Sequence, residues 1–366
     1  MKKPQPKGNF ISEWFGQRIY PDVKLDSTAI SGSSWGTCPF LSSVKRDKTQ
    51  CIKNENAFGV CTINSLAPTG RQDWLVCPYR VIDSEIVRDS CSTIFGTPVN
   101  TRPIPISILN DEKGLAILDQ TLDADKRAFI FFQDKLGGEI SINGTSSSPE
   151  MAFDVTVVEL SRPAGTALKI GRYGFIEIQT MDFHGSYKAA VNNLRDAHRL
   201  HEEAFPQELV RNQSWAAKDI EGPNIANVFK RTFYQTLLKF ELSKEGAAAG
   251  TVLALPEAVW ESWQPFLGRP QVENVRGSEF RIVGSDNESY HGTNAWIFVF
   301  DLNAAADSSI SPVRIKSRIR VSATDLVEHA FVTVPGNMLH AATTDDILLT
   351  RIRDRIRRTI RTIPVE

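Results

Sequence analysis

Two short runs in the middle of the chain set acids among apolar neighbours. Met151-Ala152-Phe153-Asp154-Val155-Thr156-Val157-Val158 carries Asp154, and Arg172-Tyr173-Gly174-Phe175-Ile176-Glu177-Ile178-Gln179 carries Glu177 and, two places on, Gln179. A carboxylate inside such a run is costly to bury alone and needs a cation or a polar neighbour. Two of them on adjacent strands, with a third polar group nearby, form the oxygen donor set that Mg²⁺ prefers. A cation held in that way can neutralise a phosphate and make water nucleophilic near neutral pH. Glu139 follows the pair Gly137-Gly138, which permits a close backbone approach, and is a candidate third carboxylate. The plainer alternative for each acid is an edge-strand or loop carboxylate facing water.

Both runs have strand character. Side chains alternate along a strand, so Glu177 and Gln179 share one face while Ile176 and Ile178 take the other. The order Pro149-Glu150, then Asp154, then Glu177-x-Gln179 is a variant of the metal-dependent nuclease core Pro-Asp…Asp/Glu-x-Lys, with Gln179 where lysine is usual. Around it, Arg127–Phe132 reads as a buried strand, and Gly250–Pro256 and Trp296–Leu302 as further strands of the sheet. Helices are predicted around Leu115–Leu122, after Asp182, over Asn224–Ser243 and between Pro256 and Trp263. Lys230 and Arg231, near the start of the third of these, suit either phosphate contact or ordinary helix-surface charge. His184, His198 and His201 lie scattered among acids and arginines, which favours hydrogen-bonded or solvent-facing rings over metal ligands. Asn9–Gly16 reads as a short amphipathic helix stopped by Gly16. Near the C-terminus, Arg351, Arg353, Arg355, Arg357, Arg358 and Arg361 alternate with Ile352, Ile356 and Ile360, as in a basic amphipathic helix. Its basic face could meet phosphates, a second copy, or water alone.

The N-terminal part holds Cys38, Cys51, Cys61 and Cys77, spaced Cys-x12-Cys-x9-Cys-x15-Cys, with a fifth cysteine at Cys91. Met-Lys-Lys-Pro-Gln-Pro-Lys-Gly at the start has no apolar segment of a signal peptide, which predicts a cytoplasmic protein. Five thiols in that setting argue against a disulfide framework and for thiolate–metal ligation. Four thiolates suit a tetrahedral Zn²⁺ or iron. Buried structural thiols are the other reading, and Cys91, beside Ile94-Phe95, is the odd one out. At 366 residues the chain can bury a full core, and 41% hydrophobic with 23% charged residues fits an ordinary globular protein. No apolar run approaches the length needed to cross a bilayer, so no membrane partner is expected. The net charge of −1 means that nucleic-acid binding would need a local basic surface. The three Asn-x-Ser/Thr sites, at Asn143, Asn212 and Asn287, are read as chance.

Arg172 to Lys188 resembles the corresponding stretch of the NotI-like restriction endonucleases. So do Gly36–Leu41, Asp73–Pro78, Lys135–Glu139, Ser147–Glu150 with Phe153-Asp154, Glu221–Asn224, Asn227–Gln235 and Asn294–Phe300. These blocks keep their order over residues 9 to 302, and the tail beyond diverges. The resemblance implies a homodimeric type II restriction endonuclease of the PD-(D/E)XK kind. Its fold would be α/β, a restriction-endonuclease-like mixed sheet flanked by helices. Residues 1–95 would form a four-cysteine metal-binding subdomain and residues 96–366 the nuclease domain with its DNA-recognition and dimerisation elements. It implies Glu139, Asp154, Glu177 and Gln179 as the active site, with Asp154 and Glu177 on catalytic Mg²⁺. It also implies Cys38, Cys51, Cys61 and Cys77 around one structural Fe or Zn. The implied partner is double-stranded DNA carrying a GC-rich palindrome such as GCGGCCGC, with a cognate DNA methyltransferase in the host. Such a site calls for Arg on guanine and carboxylates on cytosine, and Glu150, Arg172, Asp182 and Lys188 are the expected DNA-binding residues. A catalytically silent DNA-binding protein of the same fold, and a nuclease for RNA or for branched or nicked DNA, are the competing readings.

Overall fold

Runs of Val, Ile and Phe draw the middle and the later part of the chain into one large mixed sheet. The computed structural model describes residues 8–67, 70–98, 101–163, 167–244, 246–283, 294–342 and 347–359. The start of the chain, Asn287, Ile360 and Arg361 lie outside the described residues. Near the N-terminus, β1 (Phe10–Trp14), β2 (Gln17–Arg18), β3 (Val60–Ala67) and β4 (Gly70–Leu75) form a four-stranded sheet in the order β2-β1-β3-β4. Further strands are β5 (Ile104–Pro105), β6 (Arg127–Phe132), β9 (Val155–Ser161), β10 (Lys169–Ile178), β13 (Ala248–Pro256), β14 (Val272–Arg276), β15 (Glu279–Ile282), β16 (Ala295–Leu302) and β17 (Val313–Val321). They build a nine-stranded sheet in the order β14-β15-β17-β16-β13-β10-β9-β6-β5. Two small pairs complete the set: β7 (Ile140–Ile142) with β8 (Met151–Phe153), and β11 (Phe183–Gly185) with β12 (Ile220–Pro223).

The helices in chain order are α1 (Ser27–Ile30), α2 (Pro39–Lys45), α3 (Glu85–Phe95), α4 (Glu112–Asp125), α5 (Lys188–His201) and α6 (Phe205–Arg211). They continue with α7 (Ile225–Leu242), α8 (Glu257–Trp263), α9 (Ala323–Glu328), α10 (Val334–Ala342) and α11 (Ile347–Thr359). Local sequence explains several ends. The Ser84 hydroxyl accepts from the Ile86 N–H at the start of α3, and Gly96 ends it with φ +64°. Asp111 caps α4 through the Gly114 N–H, 2.8 Å away.

Strand β10 lies in the interior of the large sheet, next to its middle strand β13. It runs parallel to β13, with Glu177 opposite Leu253, and antiparallel to β9, with Ile176 opposite Val155. Ile176, Ile178, Val252 and Ala254 pack on one face with α3 residues Ile86, Val87, Cys91 and Ile94. On the other face Leu253 and Leu255 pack with Val228, Phe229 and Phe233 of α7 and Trp260 and Trp263 of α8. The alternation read from the sequence therefore separates Glu177 and Gln179 from the α3 side. Helix α3, placed by sequence within the N-terminal part, packs on the large sheet.

Two local expectations are corrected. Asn9–Gly16 is not a helix: Phe10–Trp14 is β1, buried along its whole length. Glu13, which would point to water on a surface helix, is instead fully buried between Arg18 and Arg80. Met151–Val158 is not one strand. It breaks at Asp154 between β8 and β9, which belong to different sheets.

Candidate functional site

That break is what brings the acids together. The β9–β10 ladder ends at the pair Val155–Ile176, so the Ile178 N–H lies beyond it. The Asp154 carboxylate takes its place as acceptor, with Oδ2 2.8 Å from the Ile178 nitrogen. The Asp154 N–H in turn faces Glu177 Oε1 at 3.4 Å. Two carboxylates distant in sequence are thus held side by side at the C-terminal end of β10. Glu139 approaches from the turn before β7. Gly137 there has φ +99°, and a Cβ on it would meet Ile106 Cγ2 at 2.1 Å, so only glycine lets the chain pass.

The electrostatics agree with this closeness. Burial, then the Asp154 charge, push the Glu177 carboxyl well above its ordinary range, against the opposing pull of Lys239. Burial also raises Asp154, opposed by the Ile178 N–H and by Lys239. Glu139 is raised by burial and by the Asp154 charge. The three acids form one cluster short of positive charge, with the Lys239 ammonium of α7 bonded to Glu177 Oε2.

Two cavities meet at Asp154 and Ile178. The larger, of about 380 Å³, is lined by Glu150, Asp154, Glu177, Gln179, Thr232 and Lys239 among others. The smaller, of about 70 Å³, is lined by Glu139, Asp154, Gln133, Pro78, Tyr79, Ile82 and Ile178. Gln179 faces α7 as its spacing from Glu177 requires, and its Oε1 accepts from the Thr232 hydroxyl. Asp182, just past β10, is exposed and pairs with Arg231 at 3.1 Å. Lys188 opens α5 on the surface. Arg172 is elsewhere: its Nε meets Glu159 Oε2 at 3.3 Å and its Nη2 the Phe95 carbonyl at 3.2 Å, five residues up β10 from Glu177. The structure therefore gathers Glu139, Glu150, Asp154, Glu177 and Gln179 around the cavities, and leaves Arg172, Asp182 and Lys188 outside their walls.

Lys239, Thr232 and Tyr79 are among the lining residues that sequence reading missed. One signal was present. Thr232, Thr236 and Lys239 fall at i, i+4 and i+7, a polar stripe within the otherwise apolar buried side of α7.

All five cysteines are free thiols. Cys38 and Cys77 each precede a proline that opens a helical turn, α2 in one case and Pro78–Val81 in the other. Burial pushes the Cys38 thiol up to about 11, with the Leu41 N–H opposing and the Cys77 and Cys51 charges adding to it. Cys61 is raised by burial and then by Cys77, and Cys77 by burial, with Lys53 opposing and Cys51 reinforcing. Cys51 Sγ accepts from the Gly59 N–H at 3.4 Å. Lys53 Nζ bonds the Val60 and Val76 carbonyls at 2.8 and 2.7 Å, joining the segments that carry Cys61 and Cys77. The four thiols therefore share one neighbourhood, while Cys91 lies fully buried in α3 with Glu159 as the charge beside it. Among the described residues, no group of three or more His, Cys, Asp or Glu side chains is arranged to hold a metal ion as it stands. In donor chemistry the two sets differ as their metals would. Four sulfurs, those of Cys38, Cys51 and Cys77 with backbone N–H groups turned toward them, suit Zn²⁺ or iron, and paired carboxylates suit Mg²⁺.

The histidines play other parts. His198 lies in an aromatic cluster with Trp35 and Phe205, and His201 stacks on Trp215. Helix α11 carries its described arginines on a largely exposed surface, with Ile352 and Ile356 exposed too. No helix among the described residues is long and apolar enough to cross a membrane. No protein-family model matches the chain, and no curated protein matches it significantly.

Proposed function

We propose that the chain is a NotI-like type II restriction endonuclease, a Mg²⁺-dependent hydrolase that cuts double-stranded DNA at a GC-rich palindrome and works as a homodimer. The observation that carries the reading is the meeting of Glu139, Asp154 and Glu177, from three separate segments, at two adjoining cavities. Such a set of acids, graded from buried Glu177 through half-buried Asp154 to exposed Glu139, is what a hard divalent cation and a phosphodiester together require. The resemblance of Arg172–Lys188 and its companion blocks supplies the class of substrate.

Asp154 and Glu177 would hold the Mg²⁺, which when bound neutralises phosphate charge and activates water. The Ile178 N–H orients Asp154 by bonding Oδ2, leaving Oδ1 for other partners. Glu139 stands on the other side of Asp154, where it can accept a hydrogen bond from water. Hydrolysis joins a water oxygen to phosphorus as a P–O ester bond breaks. The proton that water gives up is matched by one that the leaving oxygen takes from solvent. Glu150, which lines the cavity, and Asp182, which pairs with the lining residue Arg231, are the carboxylates for cytosine amino groups. In the same reading Cys38, Cys51, Cys61 and Cys77 hold one structural Zn or Fe. The turn that begins at Cys77 also supplies Pro78 and Tyr79 to the smaller cavity, and the Tyr79 hydroxyl donates to Asp134 at 2.9 Å. Ordering the cysteines would therefore order one wall of the site.

Incubation with Mg²⁺ and supercoiled plasmid carrying GC-rich palindromes, GCGGCCGC among them, tests the proposal. Discrete linear fragments, lost on chelation, are expected. Intact plasmid with both Mg²⁺ and Mn²⁺ would overturn it.

A further inference from the structure

We infer that Lys239 supplies the cation that the Glu177-x-Gln179 motif lacks, delivered from α7 to the acids of β10 in place of a lysine at position 179. The inference rests on the nuclease reading above and assigns a residue to that same site. In the common core, lysine stands two residues beyond the glutamate, on the same face of the strand. Here Gln179 occupies that place, and its amide is engaged at both ends. Oε1 accepts from Thr232, and Nε2 donates to the Thr180 carbonyl. A glutamine held in this way and only 8% exposed has little left to offer water or phosphate.

Lys239 is different. It is 4% exposed, and a lysine is buried that deeply only when paired. Its partner is Glu177, which takes one of the three protons that an ammonium can share. The side chain lines the same cavity as Asp154, Glu177 and Glu150. Its position is built by several elements. Nζ lies 5.4 Å from the Phe153 ring centroid, and that ring stacks on Phe175 with centroids 3.7 Å apart. The Lys239 carbonyl accepts from the Thr251 hydroxyl of β13 at 3.3 Å and from the Ser243 N–H at 3.2 Å. Thr232, two helical turns earlier, fixes Gln179, so one stripe of α7 both ties up the glutamine and brings the lysine.

Lys239 thereby keeps a fixed positive charge beside the carboxylates, where it can donate to an oxygen of the scissile phosphate. No proton need leave it. The same charge competes with a divalent cation for Glu177. Two effects of opposite sign follow for Lys239→Met, which keeps the length and loses the charge. Cleavage falls, and divalent binding does not weaken. A lysine that only neutralised buried Glu177 would be dispensable once Mg²⁺ occupied the acids.

The experiment compares the full chain as wild type, Lys239→Met, Lys239→Arg and Gln179→Lys/Lys239→Met. It measures single-turnover DNA cleavage at saturating Mg²⁺, DNA affinity, and Ca²⁺ binding by calorimetry. Lys239→Met should lose on the order of 10²-fold or more in rate, the scale of one preorganised donor to developing charge. Its DNA affinity should hold, and its Ca²⁺ affinity should be equal or tighter. Gln179→Lys/Lys239→Met, with the ammonium returned to the strand, should regain at least about tenfold of the lost rate. If Lys239→Met does not fold, Lys239→Arg carries the comparison and should cut measurably. Wild-type rates in Lys239→Met, weakened Ca²⁺ binding, or a folded double variant with no recovery would each overturn the assignment alone. A wild type that cuts no DNA would overturn the nuclease reading and this inference with it.

Discussion

Replacing Glu13 by Gln should be among the most damaging isosteric changes in the chain. Glu13 is fully buried in β1 and receives Arg80 through two bonds, Nε to Oε2 at 2.7 Å and Nη2 to Oε1 at 2.9 Å. Arg18 adds a longer contact to Oε1 at 3.5 Å and meets Asp73 at 2.7 Å. Both guanidiniums also reach Ser311, in the segment before β17, so the cluster ties the N-terminal sheet to the large one. Glutamine keeps the volume, but one of its ends is an N–H donor facing another donor. Arg18 retains Asp73, whereas Arg80 keeps only the Ser311 carbonyl among these partners. Breaking a buried pair from one side costs about 3–5 kcal/mol, because the remaining charge stays desolvated. Burial would raise the Glu13 carboxyl, but Arg80 and then Arg18 outweigh it and hold it below its ordinary range. A depressed carboxyl stabilises the fold fully above its unfolded pKa, about 4.3, and loses that contribution as pH falls through the folded value. Urea denaturation of wild type and Glu13→Gln should therefore show a gap of about 3 kcal/mol or more at neutral pH. The gap should narrow below about pH 4. A gap under about 1 kcal/mol at neutral pH, or one that persists unchanged into acid, would refute this account of the cluster.

Asp154→Asn can keep the bond from the Ile178 N–H while losing the charge, so it should fold normally, as should Glu177→Gln, and neither should cut DNA in Mg²⁺. Thermal melts beside plasmid assays check this, and substantial cleavage by either variant would remove the carboxylate assignment. Cys38→Ser or Cys77→Ser should lower solubility and stability before chemistry, because metal binding to thiolates is coupled to folding. Elemental analysis should find about one Zn or Fe per wild-type chain, and metal-free protein with full activity would end that idea. Arg172→Ala should cost at most about 1 kcal/mol of stability, since the Arg172–Glu159 pair is half exposed and Arg127 also bonds Glu159. Its ratio of cognate to random DNA binding should stay unchanged, and a selective loss on cognate DNA would restore Arg172 as a base contact.

The parts of the site that depend on strand period were legible in sequence. Glu177 and Gln179 do share a face, and the apolar alternation that sets them there also makes β10 an interior strand. The types at Asp154 and Glu139 were legible as well. The break at Asp154 was not, because it depends on where the β9–β10 ladder stops. Lys239 was hidden for a similar reason. It lies 62 residues from Glu177, and nothing local distinguishes it from a surface lysine except the threonines one and two turns before it. Glu13 misled in the opposite direction: it looks like the polar side of a small helix until Arg80, 67 residues away, is known to be buried against it. Arg172 resembled a base-reading arginine, and only the fold shows Glu159 and the Phe95 carbonyl beside it.

The central claim is site-specific cutting, and sequencing the ends it leaves tests that most directly. Genomic DNA of known sequence would be digested with the purified chain in Mg²⁺, with Asp154→Asn and chelated samples run alongside. The account predicts that wild-type ends map to one GC-rich palindrome, cut on both strands at a constant position, and that both controls leave the DNA whole. Ends scattered without a common sequence, equal cutting by Asp154→Asn, or no cutting at all would contradict it.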